Sequence, residues 1–530
     1  MTLKGYKVLI PAAGTGSRLG NLTKYLNKPL IEVCGKPAIS RIIDMFPAEC
    51  SFVIVLGYKG ELLKQFLTLA YPDRQFYFTE VNKYEGEGSG LGLSILSAEK
   101  LLQEPFVFCS SDTIIEGKMP SPDRNIAGYA FRKNKDDYRT LDIKAGMVQT
   151  VLEKGCEKEA SMPYIGLACI KDWQLFWKEM HSGGETAVKQ GESYALKKFA
   201  ERGSLYAQEF EWFDTGSINE LEKTRAHFKN ADAPNILPKP DEAVWFAAGK
   251  VIKYSDNKNF IKDRIKRAAL LKGFVPEITA FSDNMYVYKE VQGEVLSKIK
   301  DINVFKKLLE CSETFWQRMS APADFNEICR KFYYDKTLER IDLYYKTFSD
   351  EDKKAVINGI EQPALSAVLK EINWENICSG LAGRFHGDFH FENILYNEKE
   401  DKFTFLDWRQ NFGGLYETGD IYYDLAKLLH GLIICHELIA ENRFNIEMNG
   451  SAVNYSFERK PVLIECEKYY YEWLKQKGFD INKIKILTAL IYLNIAALHH
   501  KPYCHLLYYL GRTMLYENVM EKEGVSKVKI

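Results

Sequence analysis

The sequence predicts an α/β protein of two domains, a mostly parallel sheet with helices on both faces followed by a domain that mixes strands and helices. Three observations support this prediction. Short apolar runs alternate with helical patterns from Lys7 to about Phe228, a proline-rich stretch follows, and amphipathic helical patterns dominate from Val304 onwards. At 530 residues the chain is also too long for one ordinary core, so two or three domains are expected.

The N-terminal alternation is typical of a Rossmann-like sheet, because strands and helices take turns along the chain. A mostly parallel sheet of this kind binds ligands at the carboxyl ends of its strands, and we expect a site there. The predicted strands are 7–10, 51–56, 75–79 and 105–109, and the predicted helices are 38–46, 59–69 and 92–102.

A proline-rich linker is predicted at residues 230–243, where three prolines fall in a segment without helical or strand periodicity. It separates a first domain, 1–229, from a second, 244–530. Within the second domain, 244–254 and 285–290 have the patterns of strands. A small β-rich lobe before a large α-rich lobe indicates a bilobal α+β domain.

Composition points to small-molecule partners. Lysine and arginine total 71 against 72 aspartate and glutamate, and the net charge of −1 gives no electrostatic argument for nucleic acid or an anionic membrane. No apolar run is long enough to predict a signal peptide or membrane insertion. The eleven cysteines occur singly without a C-x-x-C pair, which favours a reducing cytoplasm. The sequence leaves a homo-oligomer open.

A glycine-rich loop follows the first predicted strand. Ala13, Gly14 and Gly16 occupy it, and their small size lets backbone N–H groups approach a triphosphate. Arg18 and Lys28 add cations that can clamp phosphates and offset the charge that develops as pyrophosphate leaves. The glycines alone would more often mark a turn before a helix, so the cations carry the prediction of nucleotidyl transfer.

Two carboxylates extend this candidate site. Asp112 follows an apolar strand, and Asp214 comes about a hundred residues later in the run Trp-Phe-Asp-Thr-Gly. Either aspartate alone is more often a cap or turn residue. Together at strand ends they suit Mg²⁺ that bridges the phosphates of a nucleotide.

The N-terminal region resembles the sugar-nucleotidyltransferase superfamily over about residues 4–228. The superfamily pattern G-x-G-x-R, then K-P ten residues on, then S-D-T and W-x-D-x-G, is present in order. Its phosphocholine cytidylyltransferase branch is similar in domain length and favours CTP, with UTP and dTTP left open. The resemblance implies roles for Gly14, Gly16 and Arg18 at the triphosphate, Lys28 at the α-phosphate, Asp112 and Asp214 at Mg²⁺, Gly88 and Ser89 at the base, and Lys154 at the acceptor phosphate.

A second motif lies far along the chain, at residues 386–393. Asp388 precedes Asn393 by five residues, and a predicted strand at 402–406 delivers Asp407 fourteen residues after Asn393. This spacing suits phosphoryl transfer, in which Asp388 accepts the proton of a substrate hydroxyl while Asn393 and Asp407 hold Mg²⁺ on the ATP phosphates.

The C-terminal region resembles the aminoglycoside phosphotransferase and choline kinase superfamily over about residues 244–530. The loop H-G-D-x-H-x-x-N and the later G-D-x-x-x-D-L-A pattern carry the resemblance. It implies a bilobal, protein-kinase-like fold in which Lys253 binds nucleotide and Glu290 lies at the adenine hinge. The helix predicted at 258–272 contains Asp263 but no glutamate to pair with Lys253, and its basic residues read as a solvated face.

The two motifs together predict a bifunctional enzyme that uses Mg²⁺ at both sites. The C-terminal domain would phosphorylate a small hydroxylated compound with ATP, and the N-terminal domain would transfer a nucleotidyl group, CMP favoured, to that phosphate. The product would be an NDP-activated precursor for surface polysaccharide or lipid. The acceptor stays open between an amino alcohol such as choline and a sugar or polyol.

Four further alternatives remain at this point. Clustered aromatics could form a cage for a quaternary ammonium group, although aromatics at helical spacing more often form core. Arg409, two residues after Asp407, would instead suit an anionic or polar acceptor. A nucleotide-sensing protein without turnover is the alternative of another class, and an antibiotic-modifying kinase is a further one. The aromatics in question are Tyr469, Tyr470, Tyr471, Trp473, Tyr508, Tyr509, Trp408 and Tyr422.

Overall fold

The computed structural model describes residues 5–132, 135–156, 161–229 and 239–520. These residues form two compact units. The first comprises Met1–Ile261 with Thr279–Glu290, and the second comprises Lys262–Ile278 with Val291–Ile530. Most of the predicted linker, 230–238, lies outside the described residues.

The first unit is built on a nine-stranded sheet with the strand order β5-β4-β1-β6-β11-β8-β12-β10-β9. Strands β1, β4, β5 and β6 are parallel, and β11 runs antiparallel to β6. The strands are β1 (Lys7–Pro11), β2 (Glu32–Val33), β3 (Lys36–Pro37), β4 (Ser51–Leu56), β5 (Phe76–Glu80), β6 (Phe106–Cys109), β7 (Thr113–Glu116), β8 (Ile126–Tyr129), β9 (Thr140–Lys144), β10 (Met147–Leu152), β11 (Met162–Ile170), β12 (Tyr206–Glu209) and β13 (Glu211–Asp214).

Two buried apolar clusters lie on the opposite faces of this sheet. Successive side chains of β1 alternate between them, with Val8 and Ile10 in one cluster and Leu9 in the other. Both faces are therefore covered, as the alternating pattern predicts. The α-helices are α1 (Ala38–Asp44), α2 (Gly60–Ala70), α3 (Leu91–Ser97), α4 (Trp173–Ser182), α5 (Gly184–Gln190), α6 (Glu192–Glu201) and α7 (Ile218–Phe228).

The predicted strands and helices of this region are present, with ends that differ by a few residues. The exception is the predicted helix 92–102, which ends as α3 at Ser97 and continues as a 3₁₀ turn, Glu99–Leu101. The Rossmann-like, mixed α/β class is confirmed for this unit.

A small antiparallel sheet also belongs to the first unit, where the predicted boundary at 230–243 would exclude it. Buried Trp245 explains why, since its ring centroid lies 5.2 Å from that of Phe66 on α2. Lys250 Nζ donates to the carbonyls of Leu69 and Ala70 at the end of the same helix. The strands, in the order β14-β15-β17-β16, are β14 (Glu242–Ala247), β15 (Lys250–Ser255), β16 (Ile278–Phe281) and β17 (Met285–Lys289).

The single strand predicted at 244–254 is wrong, because β14 and β15 form a hairpin there. Ala248 and Gly249 both have positive φ, 50° and 68°, as a two-residue hairpin turn requires. The sequence pattern missed the turn because Ala248 is not one of its usual residues.

The second unit is mainly helical, as predicted from Val304 onwards. Its helices are α8 (Lys258–Leu270), which begins in the first unit, α9 (Ile302–Phe315), α10 (Phe325–Arg330), α11 (Lys336–Phe348), α12 (Leu365–Lys370), α13 (Trp374–Cys378), α14 (Ile421–Ile433), α15 (His436–Ala440), α16 (Pro461–Gln476), α17 (Ile481–Ala496) and α18 (Tyr503–Val519). Its strands are β18 (Glu294–Val295), β19 (Ala355–Ile357), β20 (Ile360–Gln362), β21 (Ala382–Gly383), β22 (Ile394–Asn397), β23 (Lys402–Phe405), β24 (Gly419–Asp420), β25 (Phe444–Asn449) and β26 (Ala452–Phe457).

The core of the second unit brings α14 against α16 and α17, and α17 against α18. Twelve of the thirteen residues of α14 are buried, so this helix forms a fixed platform. The hairpin β22–β23 and the sheet in the order β20-β19-β26-β25 complete the unit. Within the described residues, no helix is both long enough and apolar enough to cross a membrane.

Candidate functional sites

The first candidate site forms where β7 and β13 meet. These strands pair antiparallel with Thr113 opposite Asp214, so Asp112, which directly precedes β7, lies beside the last residue of β13. Thr215 N donates to the carbonyl of Asp112 at 3.1 Å, which ties the two strand ends together. The two aspartates predicted from distant segments are thereby neighbours.

Gly216 shows how closely the charged groups converge. A Cβ at this glycine would lie 2.9 Å from Asp112 Oδ2, 2.9 Å from Asp214 Oδ1 and 3.3 Å from Arg18 Nη2. Lys28 Nζ lies 2.5 Å from Asp112 Oδ2. Four of the predicted residues, Arg18, Lys28, Asp112 and Asp214, therefore form one cluster, and only a residue without a Cβ fits at its centre.

The pKa values of the two carboxylates in this cluster are shifted in opposite directions. Burial opposes ionisation of Asp112, but Lys28, Ser110 and Arg18 outweigh it and lower the pKa to about 2. Burial and then the charge of Asp112 raise the pKa of Asp214. Asp112 is therefore the firmly ionised member of the pair.

Sequence reasoning missed Tyr138, whose hydroxyl donates to Asp214 Oδ2 at 2.8 Å. Asp214 Oδ1 accepts from Gly216 N at 2.7 Å. These bonds fix the orientation of the carboxylate before any ligand binds. No sequence motif predicts this role for Tyr138, because the residue lies in the segment before β9 and contacts Asp214 only through the tertiary fold.

The glycine-rich loop runs from the end of β1 into a 3₁₀ helix, Ser17–Thr23. Gly16 has φ of 69°, a left-handed conformation, and Gly14 is exposed. Ala13 is buried and its carbonyl accepts from Tyr58 N at 2.9 Å. Buried Asn27 donates to the carbonyls of Ala12 and Tyr58, so the base of the loop is held rigidly.

The residues predicted at the base and at the acceptor phosphate lie on loops. Gly88 is exposed and Ser89 is half-buried, and the Ser89 hydroxyl donates to the carbonyl of Gly86 in its own turn. Lys154 is also exposed, and desolvation followed by repulsion from Arg18 and Arg139 lowers its pKa.

The second candidate site surrounds Asp388 in the loop between β21 and β22. Lys427 on α14 pairs with it, with 2.8 Å between Nζ and Oδ1. Burial opposes ionisation of Asp388, yet Lys427 and His390 hold its pKa well below the usual range. Lys427 was not predicted, although it follows the G-D-x-x-x-D-L-A pattern directly, one helical turn after Asp424.

Asn393 and Asp407 lie at the open end of the hairpin β22–β23. The carbonyl of Asn393 accepts from Leu406 N at 2.7 Å. This bond extends the backbone pairing of β22 with β23 to the residue before Asp407. Asn393 Nδ2 donates to Asp388 Oδ2 at 3.1 Å. Asp407 has φ of 56°, uncommon for a residue with a side chain, and faces Arg264 Nη1 at 3.5 Å.

Buried Asp424 supports the loop from beneath. Its carboxylate accepts from the backbone N–H groups of His386 at 2.6 Å and Gly387 at 2.7 Å, and from Trp316 Nε1 at 3.0 Å. Burial raises the pKa of Asp424 to about 6. Asp420, the other aspartate of the pattern, likewise accepts from Leu381 N, Tyr422 N and the Tyr333 hydroxyl. Both residues therefore position the site.

The prediction that the basic helix at 258–272 is a solvated face is wrong for its inner side. Arg267 is 0% exposed and donates to the carbonyls of Phe385, Arg409 and Tyr416. These three carbonyls flank the loop of Asp388 and the segment after Asp407. Arg267 therefore holds both segments through buried, charge-assisted hydrogen bonds.

The remaining predicted residues of this region, Lys253 and Glu290, belong to the first unit. Lys253 is half-buried on β15, and Glu290 N donates to the carbonyl of Gly249 at 3.0 Å. Asp263, the acidic residue of the helix predicted at 258–272, accepts from the Tyr416 hydroxyl at 2.9 Å.

Most of the aromatics proposed for a cage are core residues. Tyr470, Trp473 and Tyr508 are 0%, 6% and 1% exposed, and Tyr508 stacks on Tyr344 at 4.3 Å between ring centroids. Trp408 is buried and donates to the carbonyl of Arg264 at 2.9 Å. The helical spacing of these residues reflects packing.

Each site offers the oxygen donors that Mg²⁺ prefers. Asp112 and Asp214 supply them in the first unit, and Asn393 and Asp407 in the second. Among the described residues no group of three or more histidine, cysteine, aspartate or glutamate side chains is arranged to hold a metal ion. The donor sets therefore fit a cation that takes its other ligands from substrate phosphates and water.

Comparison with known families confirms the predicted resemblance of the C-terminal region. Residues 316–442 match the phosphotransferase enzyme family, APH. The matched segment contains Asp388, Asn393 and Asp407, together with Asp424 and Lys427 of α14. The C-terminal region therefore contains an APH phosphotransferase domain.

The N-terminal region matches sugar nucleotidyltransferases. The bifunctional protein GlmU of Methanococcus maripaludis is 23% identical over 258 residues, 46% of this chain and 60% of that protein. The glucose-1-phosphate cytidylyltransferase of Salmonella typhimurium is 34% identical over 79 residues, 14% of this chain and 31% of that protein. The chain thus spans about three-fifths or less of the length of these relatives.

A solved structure of CTP:phosphocholine cytidylyltransferase from Streptococcus pneumoniae is 18% identical. It aligns with 43% of this chain and 100% of its own, with a TM-score of 0.37. The C-terminal match is thus to a phosphotransferase family, and the N-terminal matches are to nucleotidyltransferases.

Proposed function

We propose that the chain is a bifunctional enzyme that catalyses two consecutive steps. Its kinase site phosphorylates a small hydroxylated compound with ATP, and its nucleotidyltransferase site couples that phosphate to a nucleotide and releases pyrophosphate. The observation that carries the proposal is that one chain contains both the cluster around Gly216 and the Asp388–Lys427 pair within a kinase-type loop.

In the nucleotidyl step, the acceptor's phosphate oxygen attacks the α-phosphorus of the nucleotide and pyrophosphate leaves. We assign the triphosphate to the loop of Ala13, Gly14 and Gly16 with Arg18, and the α-phosphate to Lys28. Bound at Asp112 and Asp214, Mg²⁺ would supply charge neutralisation on the phosphates. We assign Gly88 and Ser89 to the base and Lys154 to the acceptor phosphate.

In the kinase step, Asp388 receives the proton of the acceptor hydroxyl. Its depressed pKa keeps it ionised at neutral pH, and Lys427 and Asn393 hold both carboxylate oxygens in place. We assign Mg²⁺ to Asn393 and Asp407, and the nucleotide to Lys253 and Glu290. The proposal keeps the domain bounds predicted from the sequence, 1–229 for the transferase and 244–530 for the kinase, although residues 244–261 and 279–290 belong to the first compact unit.

The base is proposed to be cytosine, since a cytidylyltransferase is among the relatives that match the N-terminal segment. Transfer from UTP or dTTP, with a sugar kinase as the partner activity, is the alternative. The product in either case is an NDP-activated precursor of the kind used for surface polysaccharide or lipid. A cytoplasmic setting belongs to the same proposal, because eleven unpaired cysteines suit a reducing compartment.

The proposal is tested by mass spectrometry of the intact chain with ATP, each of the four nucleoside triphosphates and a panel of hydroxylated acceptors. We expect ADP, a phosphomonoester, pyrophosphate and an NDP-linked product. Asp112→Asn should stop the second step and let the phosphomonoester accumulate. If nucleotides bind without any turnover, the chain is a nucleotide sensor instead.

A further inference from the structure

An open pocket of about 980 Å³ lies in the second unit beside the loop of Asp388. Arg409 connects the two, since its backbone N donates to the carbonyl of His386 at 2.9 Å and its side chain lines the pocket. A Cβ at Gly387 would lie 2.5 Å from Cβ of Arg409, so this side chain starts directly against the loop.

The basic and acidic side chains that line the pocket differ in how deeply they are buried. Three cations, Lys336, Arg340 and Arg409, are half-buried, and two more, Lys331 and Lys346, are exposed. The acidic lining residues are all exposed, so the inner wall is cationic. They are Asp324, Glu339 and Asp342.

The inner cations are held by packing. Two of them contact the ring of buried Phe332. Lys336 Nζ lies 4.6 Å from the centroid of this ring, and Arg409 Cζ lies 4.7 Å from it. Within the described ranges, neither of these residues nor Arg340 has a carboxylate at ion-pair distance; the nearest acidic group in the loop, Asp388, is paired with Lys427. The inner wall therefore has positive charge to offer to a ligand.

The backbone adds a second sign of a ligand site. The five residues Lys331–Asp335, between α10 and α11, form a π-helical turn; Phe332 lies within it and Lys336 directly follows it. Such turns are rare and are frequently found at functional sites. Burial, followed by repulsion from Arg409 and Lys427, lowers the pKa of Lys336 to about 7. A bound anion would relieve this repulsion.

We propose that this pocket binds the acceptor of the kinase reaction, and that the acceptor is a hydroxylated compound that already carries a carboxylate or phosphate group. The inference rests on the proposed kinase function. Lys336, Arg340 and Arg409 bind the anionic group and direct the hydroxyl to Asp388. The acceptor oxygen gives its proton to Asp388 and bonds to the γ-phosphorus of ATP, whose bond to the bridging oxygen breaks as ADP leaves.

This assignment separates two acceptors that the sequence left open. A trimethylammonium alcohol such as choline would place its charge beside three cations, and the buried aromatics offer it no cage. An anionic alcohol would gain charge-assisted hydrogen bonds, each strongest where water is excluded. The pocket therefore favours the anionic acceptor.

The test compares ADP release with four probes that share an alcohol group: glycerol, choline, glycerate and glycerol 3-phosphate. We expect glycerate or glycerol 3-phosphate to have the highest kcat/KM, and the better of the two identifies the anionic group. Lys336→Met and Arg409→Met should each raise KM for that probe by about tenfold to a hundredfold and change the value for glycerol little. Lys370→Met, at an exposed lysine that ends α12, is the matched control and should behave as the wild type.

Direct binding of the two anionic probes, measured by calorimetry, keeps this inference distinct from the kinase assignment. Binding that depends on Lys336 and Arg409 without ADP release would support the anion site and contradict the kinase function. ADP release with choline as the best acceptor would support the kinase function and overturn the anion site. Equal behaviour of the Lys336, Arg409 and Lys370 variants would overturn it as well.

Discussion

Lys427 Nζ lies 2.8 Å from Asp388 Oδ1, and the two side chains come from a helix and a loop, thirty-nine positions apart in the sequence. Lys427 is 7% exposed and the Asp388 side chain is 36% exposed, so the pair is buried on the side of the lysine. It keeps the carboxylate that we assign as the base of the kinase step ionised and fixed. Several expected outcomes depend on it.

Lys427→Met should move the acid limb of kinase activity to higher pH. In the wild type the pKa of Asp388 is held well below its ordinary value, so Asp388 stays ionised from neutral pH down past 4. Without Lys427, burial raises the pKa of Asp388, and activity is lost as pH falls through the new value. A profile of kcat/KM against pH measures this; an acid limb identical to that of Lys370→Met would contradict it.

The same pair contributes to stability with a defined sign. Because the folded pKa of Asp388 is depressed, its contribution is present above the unfolded pKa of about 4 and is lost as pH falls through the lower folded pKa. The loss therefore occurs only in strong acid and leaves the neutral range unaffected.

Gly216→Ala should impair nucleotidyl transfer selectively. Its Cβ would lie 2.9 Å from oxygens of both Asp112 and Asp214, which must then move apart. Displacement of about 1 Å at a reacting centre can cost on the order of a hundredfold in rate. Pyrophosphate release from supplied phosphomonoester measures the loss, and the kinase activity of the same variant is the internal control. Full transferase activity would contradict the placement of the cluster.

Trp245→Ala should destabilise the first unit, although the sequence-based boundary places this tryptophan in the second domain. The side chain is fully buried between Phe66 and Tyr254, and its removal should cost roughly 3–5 kcal/mol of the free energy of unfolding. Phe281→Ala, on the same small sheet but 63% exposed, is the control and should cost far less. Equal losses in denaturant unfolding would show that the small sheet does not share this core.

Asp424→Asn should change how stability depends on pH. Burial raises the pKa of Asp424 to about 6, so its folded form favours the proton, and its contribution to stability falls as pH rises from about 4 through 6. The wild type should therefore lose stability relative to the variant over this range, by at most about 1.4 kcal/mol per pH unit. Chemical unfolding at pH 4.5 and 7 measures this difference, and a constant difference would contradict it.

The sequence predicted what depends on local pattern. Apolar periodicity gave the parallel strands of the first unit, and motif spacing gave Asp112, Asp214, Asp388 and Asn393. Such signals are local because side-chain period and turn residues repeat along the chain. The hairpin turns at Asn358-Gly359 and Gly450-Ser451 also carried a recognisable signal, and the sheet of β19, β20, β25 and β26 could have been inferred from it.

The rest depends on contacts that no local pattern contains. Tyr138 reaches Asp214 across seventy-six positions, and Arg267 reaches Phe385 across more than a hundred. The small sheet reads as part of the second domain by its order in the chain, yet Trp245 joins the core of the first unit. A basic helix similarly reads as solvated until its partners, here buried carbonyls, are known.

The most direct test of the two-step account follows one phosphorus atom. ATP labelled with oxygen-18 on its γ-phosphoryl group is supplied to the intact chain with unlabelled CTP and the anionic probe that gives the fastest ADP release, and the nucleotide-linked product is weighed by mass spectrometry. We predict that the product carries the label, that the pyrophosphate does not, and that Asp388→Ala abolishes the product unless phosphorylated acceptor is added. An unlabelled product, or one that forms equally in Asp388→Ala without added phosphomonoester, would contradict the account.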